Sequence, residues 1–293
     1  MSPLFKTVAV LGASYGGSSA ARVLAQGLPK GWRVVLIDRN THMNHLYAFP
    51  RYSVLPGHEH KAFIPYSGFF SSETQEPSPH AILHAHVTSI SPHALTLSRA
   101  FPEHGIKEPG RTLDFQYLVY ALGSHLPAPI DLWNPANTPA GTKAEGIQWF
   151  KRCQTRFAHA NSILVVGGGA LGIQYASDIA EAYPGKRVTL LHSRTKLLPR
   201  FDDAMHTEIV SGLTALNVDV ILGDRLDLSS VSAGKTVRIG AGGEERVVRT
   251  ESGREIHAEL VLLCTGQKPN TELLTTLSPD VIVPEGPPRE WLG

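Results

Sequence analysis

Two short glycine clusters carry the chemistry most plainly written in this 293-residue chain. At Gly167-Gly168-Gly169-Ala170-Leu171-Gly172 the pattern G-x-G-x-x-G follows an apolar run and opens an amphipathic one. The diphosphate of a dinucleotide needs bare backbone N–H groups at a helix N-terminus, where the peptide dipole also favours negative charge. In that scheme Gly167 makes the turn, Gly169 lets the backbone approach the phosphates, and Gly172 lets helix pack on strand, with Ala170 and Leu171 between them. The earlier cluster, Gly12-Ala13-Ser14-Tyr15-Gly16-Gly17, keeps the outer glycines and places Ser14 at the middle position. Serine is small enough to permit approach and can itself donate a hydrogen bond to phosphate. The plainer alternative for both clusters is that the glycines only make tight turns.

A second residue class sits where each following strand ends. Asp38 closes the strand after the first cluster, and a carboxylate there accepts hydrogen bonds from ribose hydroxyls. The matching position after the second cluster is His192, followed by Ser193 and Arg194, with no carboxylate. Without the acid a 2′-phosphate is not repelled, and Arg194 can pair with it, which favours NADPH over NADH. The competing reading is that His192 and Arg194 are solvated residues after a strand.

The elements that must position these groups repeat. Residues 7–11 read as a buried strand, 12–17 as a glycine turn, 18–26 as a helix and 33–37 as a second strand. The same order returns at 162–166, 167–172, 173–183 and 187–191, an internal duplication of a βαβ unit. Alternating segments at 81–90, 95–98, 236–239 and 246–250 read as antiparallel meanders. Strands at 117–122 and 260–264 close the two units, and the Pro- and Asn-rich stretch 126–142 reads as the crossing between them. The fold class is therefore α/β, with two Rossmann-like domains built on parallel sheets.

Bulk properties narrow the function. A hydrophobic share of 42% and a charged share of 18% are those of a globular protein. Basic and acidic side chains number 27 and 26, so no large field exists to draw in nucleic acid or an anionic membrane. Cys153 and Cys264 are the only cysteines and have no C-x-x-C spacing, which disfavours disulfides, a zinc knuckle and a dithiol pair. The N-terminus runs directly into a strand, and no run is long enough to span a membrane, so the expected location is cytoplasmic. His42, His45, His58 and His60 lack a supporting carboxylate cluster, so no metal is expected, and the absence of a G-x-S-x-G elbow argues against hydrolysis.

Taken together, VLGASYGGSSAA, LIDRNTHMNHLYAFPRYSVLPG, YLVYALGSHLPAP, ILVVGGGALGIQYASDIAEAYP, VTLLHSRTKLLP and LLCTGQKPNT resemble the two-Rossmann flavoprotein reductases of the pyridine nucleotide-disulfide oxidoreductase type. The resemblance is to the branch with type II NADH dehydrogenases, apoptosis-inducing factor and AMID-like ferroptosis-suppressor proteins, fungal ones above all. It implies that Gly12, Ser14, Gly16, Gly17, Asp38 and Arg39 hold FAD, with Ala121 and Gly123 at the next strand end. It also implies that Gly167, Gly169, Ala170, Leu171, Gly172, His192, Arg194 and Gly266 hold NAD(P). The resemblance further implies that hydride passes from NAD(P)H to flavin and that electrons go on to a small acceptor of quinone type.

The flavin-facing stretch, residues 42–51, carries no cysteine here, so the thiol relay of the disulfide reductases is not expected. Pro50 and Arg51 are the candidate flavin neighbours, Arg51 because a cation stabilises a reduced ring; the alternative makes Arg51 a surface loop residue. By resemblance a peripheral contact with mitochondria or lipid surfaces is also expected. The FAD domain is assigned to 1–125 with 269–293 returning to it, and the NAD(P) domain to 126–268. Relatives continue to a strand ending in Gly-Asp and to a C-terminal domain, so the FAD domain is expected to lack its usual closing strand. A shortened, non-catalytic nucleotide-binding relative is the alternative function.

Overall fold

The run Lys6–Leu11 (β1) is buried from Thr7 onward because it lies inside a sheet covered on both faces. In the computed structural model, which describes residues 5–71, 78–132, 134, 136–239, 243–275 and 277, β1 pairs in parallel on both sides. Its partners are Trp32–Asp38 (β2) and Tyr117–Tyr120 (β4), while Ala81–His84 (β3) extends the sheet beyond β2. The helix Tyr15–Gly27 (α1) makes the β1–β2 crossover, starting three residues before the expected Ser18 because the glycine turn itself begins the helix. Residues 81–90 are not all meander. Ala81–His84 pairs in parallel with Val35–Asp38, and only Val87–Ser91 joins Ala94–Leu97 and Thr112–Asp114 in an antiparallel sheet.

Two helices lie between the halves. Phe49–Val54 (α2) follows the His42–Asn44 strand, and Lys143–His159 (α3) follows the crossing segment. α3 starts at Thr142, whose Oγ1 accepts the Glu145 N–H at 3.3 Å while Glu145 accepts the Thr142 N–H at 3.1 Å, a capping box. Its buried residues Gly146, Trp149, Phe150, Cys153, Gln154 and Phe157 recur at helical spacing along one stripe.

The second sheet repeats the first. Ser162–Val166 (β5) leads through Ala170–Ala182 (α4) to Arg187–His192 (β6), and Asp203–Ala215 (α5) leads to Asp219–Leu222 (β7). Leu260–Leu263 (β8) closes the opposite side, so the orders β3-β2-β1-β4 and β7-β6-β5-β8 match strand for strand. A three-stranded meander of Thr236–Ile239, Gly243–Arg249 and Glu255–Ala258 precedes β8.

The cores do not split at residue 125. Phe49, Val54, Ala62 and Phe63 belong to the apolar cluster of the second sheet, where the Phe49 and Phe63 rings pack on Phe150 at 5.0 and 5.3 Å. The chain then returns: Lys268–Pro269 pairs with Ser124–His125, and Leu273 and Leu277 pack on the first core. Residues 278–293, to which the expectation about a closing strand also refers, lie outside the described residues. Among the described residues no helix is long and apolar enough to cross a membrane.

Candidate nucleotide-binding site

Each glycine loop leaves its strand and opens its helix with the same spatial logic. A Cβ at Gly17 would lie 1.7 Å from the Gly12 carbonyl oxygen, and one at Gly172 would lie 1.8 Å from that of Gly167. These are the contacts that let α1 and α4 sit directly on β1 and β5. Gly12 and Gly167 have φ of +87° and +117°, a region that L side chains rarely adopt. The middle positions differ from these: nothing lies within 4 Å of a Cβ built at Gly169, nor at Gly16 beside Ser14, so both helix tips are open.

The first tip opens into a cavity of about 1030 Å³ lined by Gly12, Ser14, Gly16, Asp38, Arg39, Ala121 and Gly123 among others. Seven of the nine residues expected for FAD thus converge on one concavity; Gly17 is packed beneath it, and Arg51 lies outside it. The Asp38 carboxylate, only 9% exposed, accepts the Ala13 N–H at 2.6 Å and the Asn40 N–H at 2.7 Å. Burial pushes its pKa up, and these two N–H donors oppose that rise. The Ala13 carbonyl accepts from Ser18 Oγ at 2.6 Å and Tyr66 Oη at 3.2 Å, so the loop is clamped from both ends. Ser14 Oγ is buried without a hydrogen-bond partner, and among the described residues Arg39 has no ion-pair partner. A polar atom awaiting a partner, a free cation and an open helix tip form a donor set that fits a bound diphosphate.

Sequence reasoning missed much of the wall. His42 and Asn44 belong to the stretch 42–51 read as flavin-facing, though neither was picked as a site residue, and Tyr66 comes from the turn after the ribbon 42–44/63–65, where no motif signals it. Burial lowers His42 to about 4, so its ring is neutral at pH 7. His125 and Asn270 bond at 2.7 Å, and Tyr120 donates to the Asn270 carbonyl at 2.6 Å. The returning segment therefore completes the cavity of the first half.

At the second tip His192 takes the place of Asp38. Its Nδ1 accepts the Gly168 N–H at 3.0 Å, as Asp38 accepts that of Ala13. Burial, then Arg194, lowers its pKa, and Nε2 is buried without a partner. Arg194 is exposed beside it, while Gly266, at φ +141°, follows the end of β8.

The match to a family model is decisive: residues 6–281 fit the one described as pyridine nucleotide-disulphide oxidoreductase. The chain belongs to that family. It is 47% identical over 274 residues to Fe-regulated protein 8 of Mycosarcoma maydis, covering 92% of this chain and 66% of that protein. It is 30% identical over 284 residues to ferroptosis suppressor protein 1 of Taeniopygia guttata, covering 95% and 67%. The chain spans about two thirds of the length of the curated relatives it matches. Among solved structures, a putidaredoxin reductase in covalent complex with putidaredoxin superposes with a TM-score of 0.64 at 21% identity, covering 93% of this chain and 61% of that one. An engineered water-forming NADPH oxidase bound to NADPH superposes at 0.63 with 17% identity, covering 92% and 56%. These likenesses show the shared fold of FAD- and NAD(P)-binding oxidoreductases.

Against that family background two features stand apart. Cys153 and Cys264 are both buried, with thiols pushed up to about 12 by burial, so neither forms a reactive dithiol. Pro50 and Arg51, expected beside the flavin, do not line the large cavity. Pro50 is buried in α2, and Arg51 Nη1 reaches across to Asp178 and Glu181 on α4, at 2.6 Å each. The physical reason is charge: the two carboxylates on the facing helix both lie within 2.6 Å of the guanidinium and hold it there.

Proposed function

We propose that the chain forms the dinucleotide-binding body of an FAD-dependent NAD(P)H oxidoreductase, with FAD at the first helix tip and the nicotinamide nucleotide at the second. One observation carries this: two open helix tips of equal construction, the first facing a cavity of about 1030 Å³. When bound, FAD supplies a two-electron carrier that takes a hydride from NAD(P)H and yields electrons to a second substrate. The protein's part is positioning. The amides from Ser14 to Gly16 and Ser14 Oγ meet the diphosphate, Asp38 offers its remaining lone pairs to ribose, and Arg39 adds a cation at the same wall.

NADPH is favoured over NADH because His192 and Arg194 replace an acid at the second strand end. Reading the acceptor as a small quinone-like molecule rests on the cysteine-free stretch 42–51 together with the likeness to ferroptosis suppressor proteins. An anaerobic visible spectrum of the purified protein tests the proposal. A flavin band that bleaches on adding NADPH is the expected result; a colourless protein that cannot be reconstituted with FAD would instead mark a nucleotide-binding relative without turnover.

A further inference from the structure

Away from both glycine loops, a cavity of about 500 Å³ lies between α3, the crossing segment and β8. That is within the size range of small-molecule sites, roughly 300–1,000 Å³. Three arginines converge on it: Arg152 and Arg156, one turn apart on α3, and Arg246 from the second meander. Among the described residues none of the three forms an ion pair. Arg152 makes only a long contact, 3.5 Å, to the Asn137 carbonyl.

The lining also holds two carboxylates, and both are already engaged. Glu259 accepts from the Asn161 N–H and side-chain amide at 2.9 and 3.1 Å, and Asp131 accepts from the Asn134 amide at 3.1 Å. The inner wall is apolar, with Trp149 4% and Val261 7% exposed, and β8 is the outermost strand of its sheet. Three guanidiniums against two carboxylates leave the lining a net charge of +1, and guanidinium forks without an ion-pair partner match a carboxylate bidentately. A purely solvated arginine face needs no apolar floor.

We propose that this cavity is a binding site for an organic carboxylate with a hydrocarbon body, its head held by Arg152, Arg156 and Arg246 and its body against Trp149 and β8. The cavity shares Ala128 and Asp131 with the rim of the first one but none of the glycine-loop residues, so a colourless protein would defeat the flavin reading and leave this one intact. The test is calorimetric titration with decanoate, on the protein as purified and again with saturating FAD and NADP+. Saturable one-to-one binding is expected in both, with decanol and inorganic phosphate each at least tenfold weaker. The double substitution Arg152→Glu and Arg246→Glu is expected to weaken decanoate at least tenfold, and Arg152→Lys with Arg246→Lys by less than threefold. Because both positions are exposed, neither variant threatens the fold. No saturable binding to the parent protein, phosphate binding as well as decanoate, or charge reversal leaving the affinity within twofold would each overturn the proposal.

Discussion

The two glycine loops are near copies in backbone and differ in what holds them. In the first, a buried carboxylate accepts the N–H that follows the leading glycine; in the second, a neutral imidazole accepts the equivalent N–H. The same mechanical task, tethering a loop to the end of the neighbouring strand, is therefore done by groups of different charge. That difference teaches which part of the motif is scaffold and which is discrimination. The glycines serve the scaffold, while the strand-end residue sets the electrostatic environment that a nucleotide meets.

The sharpest break comes from the packing glycines. Gly17→Ala and Gly172→Ala each drive a methyl into a backbone oxygen of the same loop, which cannot swing aside as a side chain would. Each is expected to destabilise by about 3 kcal/mol in urea unfolding, the upper end for overpacking. Their cofactor phenotypes should separate: Gly17→Ala loses bound flavin, whereas Gly172→Ala keeps the colour and no longer bleaches with NADPH. If both variants lose flavin equally, the assignment of the two loops to different nucleotides fails.

Next in size is the tether. Asp38→Ala removes the acceptor of two backbone N–H groups, Ala13 and Asn40. Leaving buried donors unpaired costs about 1–3 kcal/mol, and FAD affinity measured by fluorescence should fall at least tenfold. His192→Ala removes one acceptor from a half-buried site and should cost less; an equal or larger loss would mean that the tethers are not equivalent.

These contrasts show what could be read from the chain alone. The two cradles, β1, β2, β5 and β6 were legible because glycine spacing and apolar runs are local, and each lies within about thirty residues of its partner. Ala81–His84 was hidden because its short alternating pattern suits a meander as well as a parallel strand, and only pairing with β2 decides between them. Tyr66 and His125 enter the first cavity through tertiary packing that no spacing rule encodes. Arg51 was misplaced for a related reason: its charge was legible, but its partners Asp178 and Glu181 lie more than 120 residues away.

That ion pair supplies the next test, because it ties α2, which follows the ribbon lining the first cavity, to α4, which carries the second glycine loop. Arg51→Met leaves the Asp178 carboxylate, 10% exposed, facing α2 without its cation. Arg51 itself is partly solvated, so the expected cost is about 1–2 kcal/mol, less than for a fully buried pair. Flavin content should be unchanged and the NADPH-dependent bleaching rate reduced several-fold. A smaller discrimination effect is expected at the second loop, where Arg194→Ala should raise the KM for NADPH about tenfold, near 1.4 kcal/mol, and leave that for NADH almost unchanged. Equal changes for both would remove Arg194 from the 2′-phosphate.

The smallest expected effect follows from the charge of the second tether. Burial holds the His192 pKa below its ordinary 6.5, and its Nδ1 must stay unprotonated to accept the Gly168 N–H. The unfolded chain therefore takes up a proton at His192 at a higher pH than the folded chain does. As pH falls through about 6.5 the unfolded state gains protons first, so stability declines with falling pH in that window. His192→Asn offers the loop a side-chain oxygen that does not titrate near neutrality. Stability curves of the two proteins between pH 5 and 8 should run parallel above about 7 and diverge below it, the parent losing more. Curves that stay parallel throughout would show that His192 is protonated alike in both states, and the second loop would then owe its shape to the glycines alone.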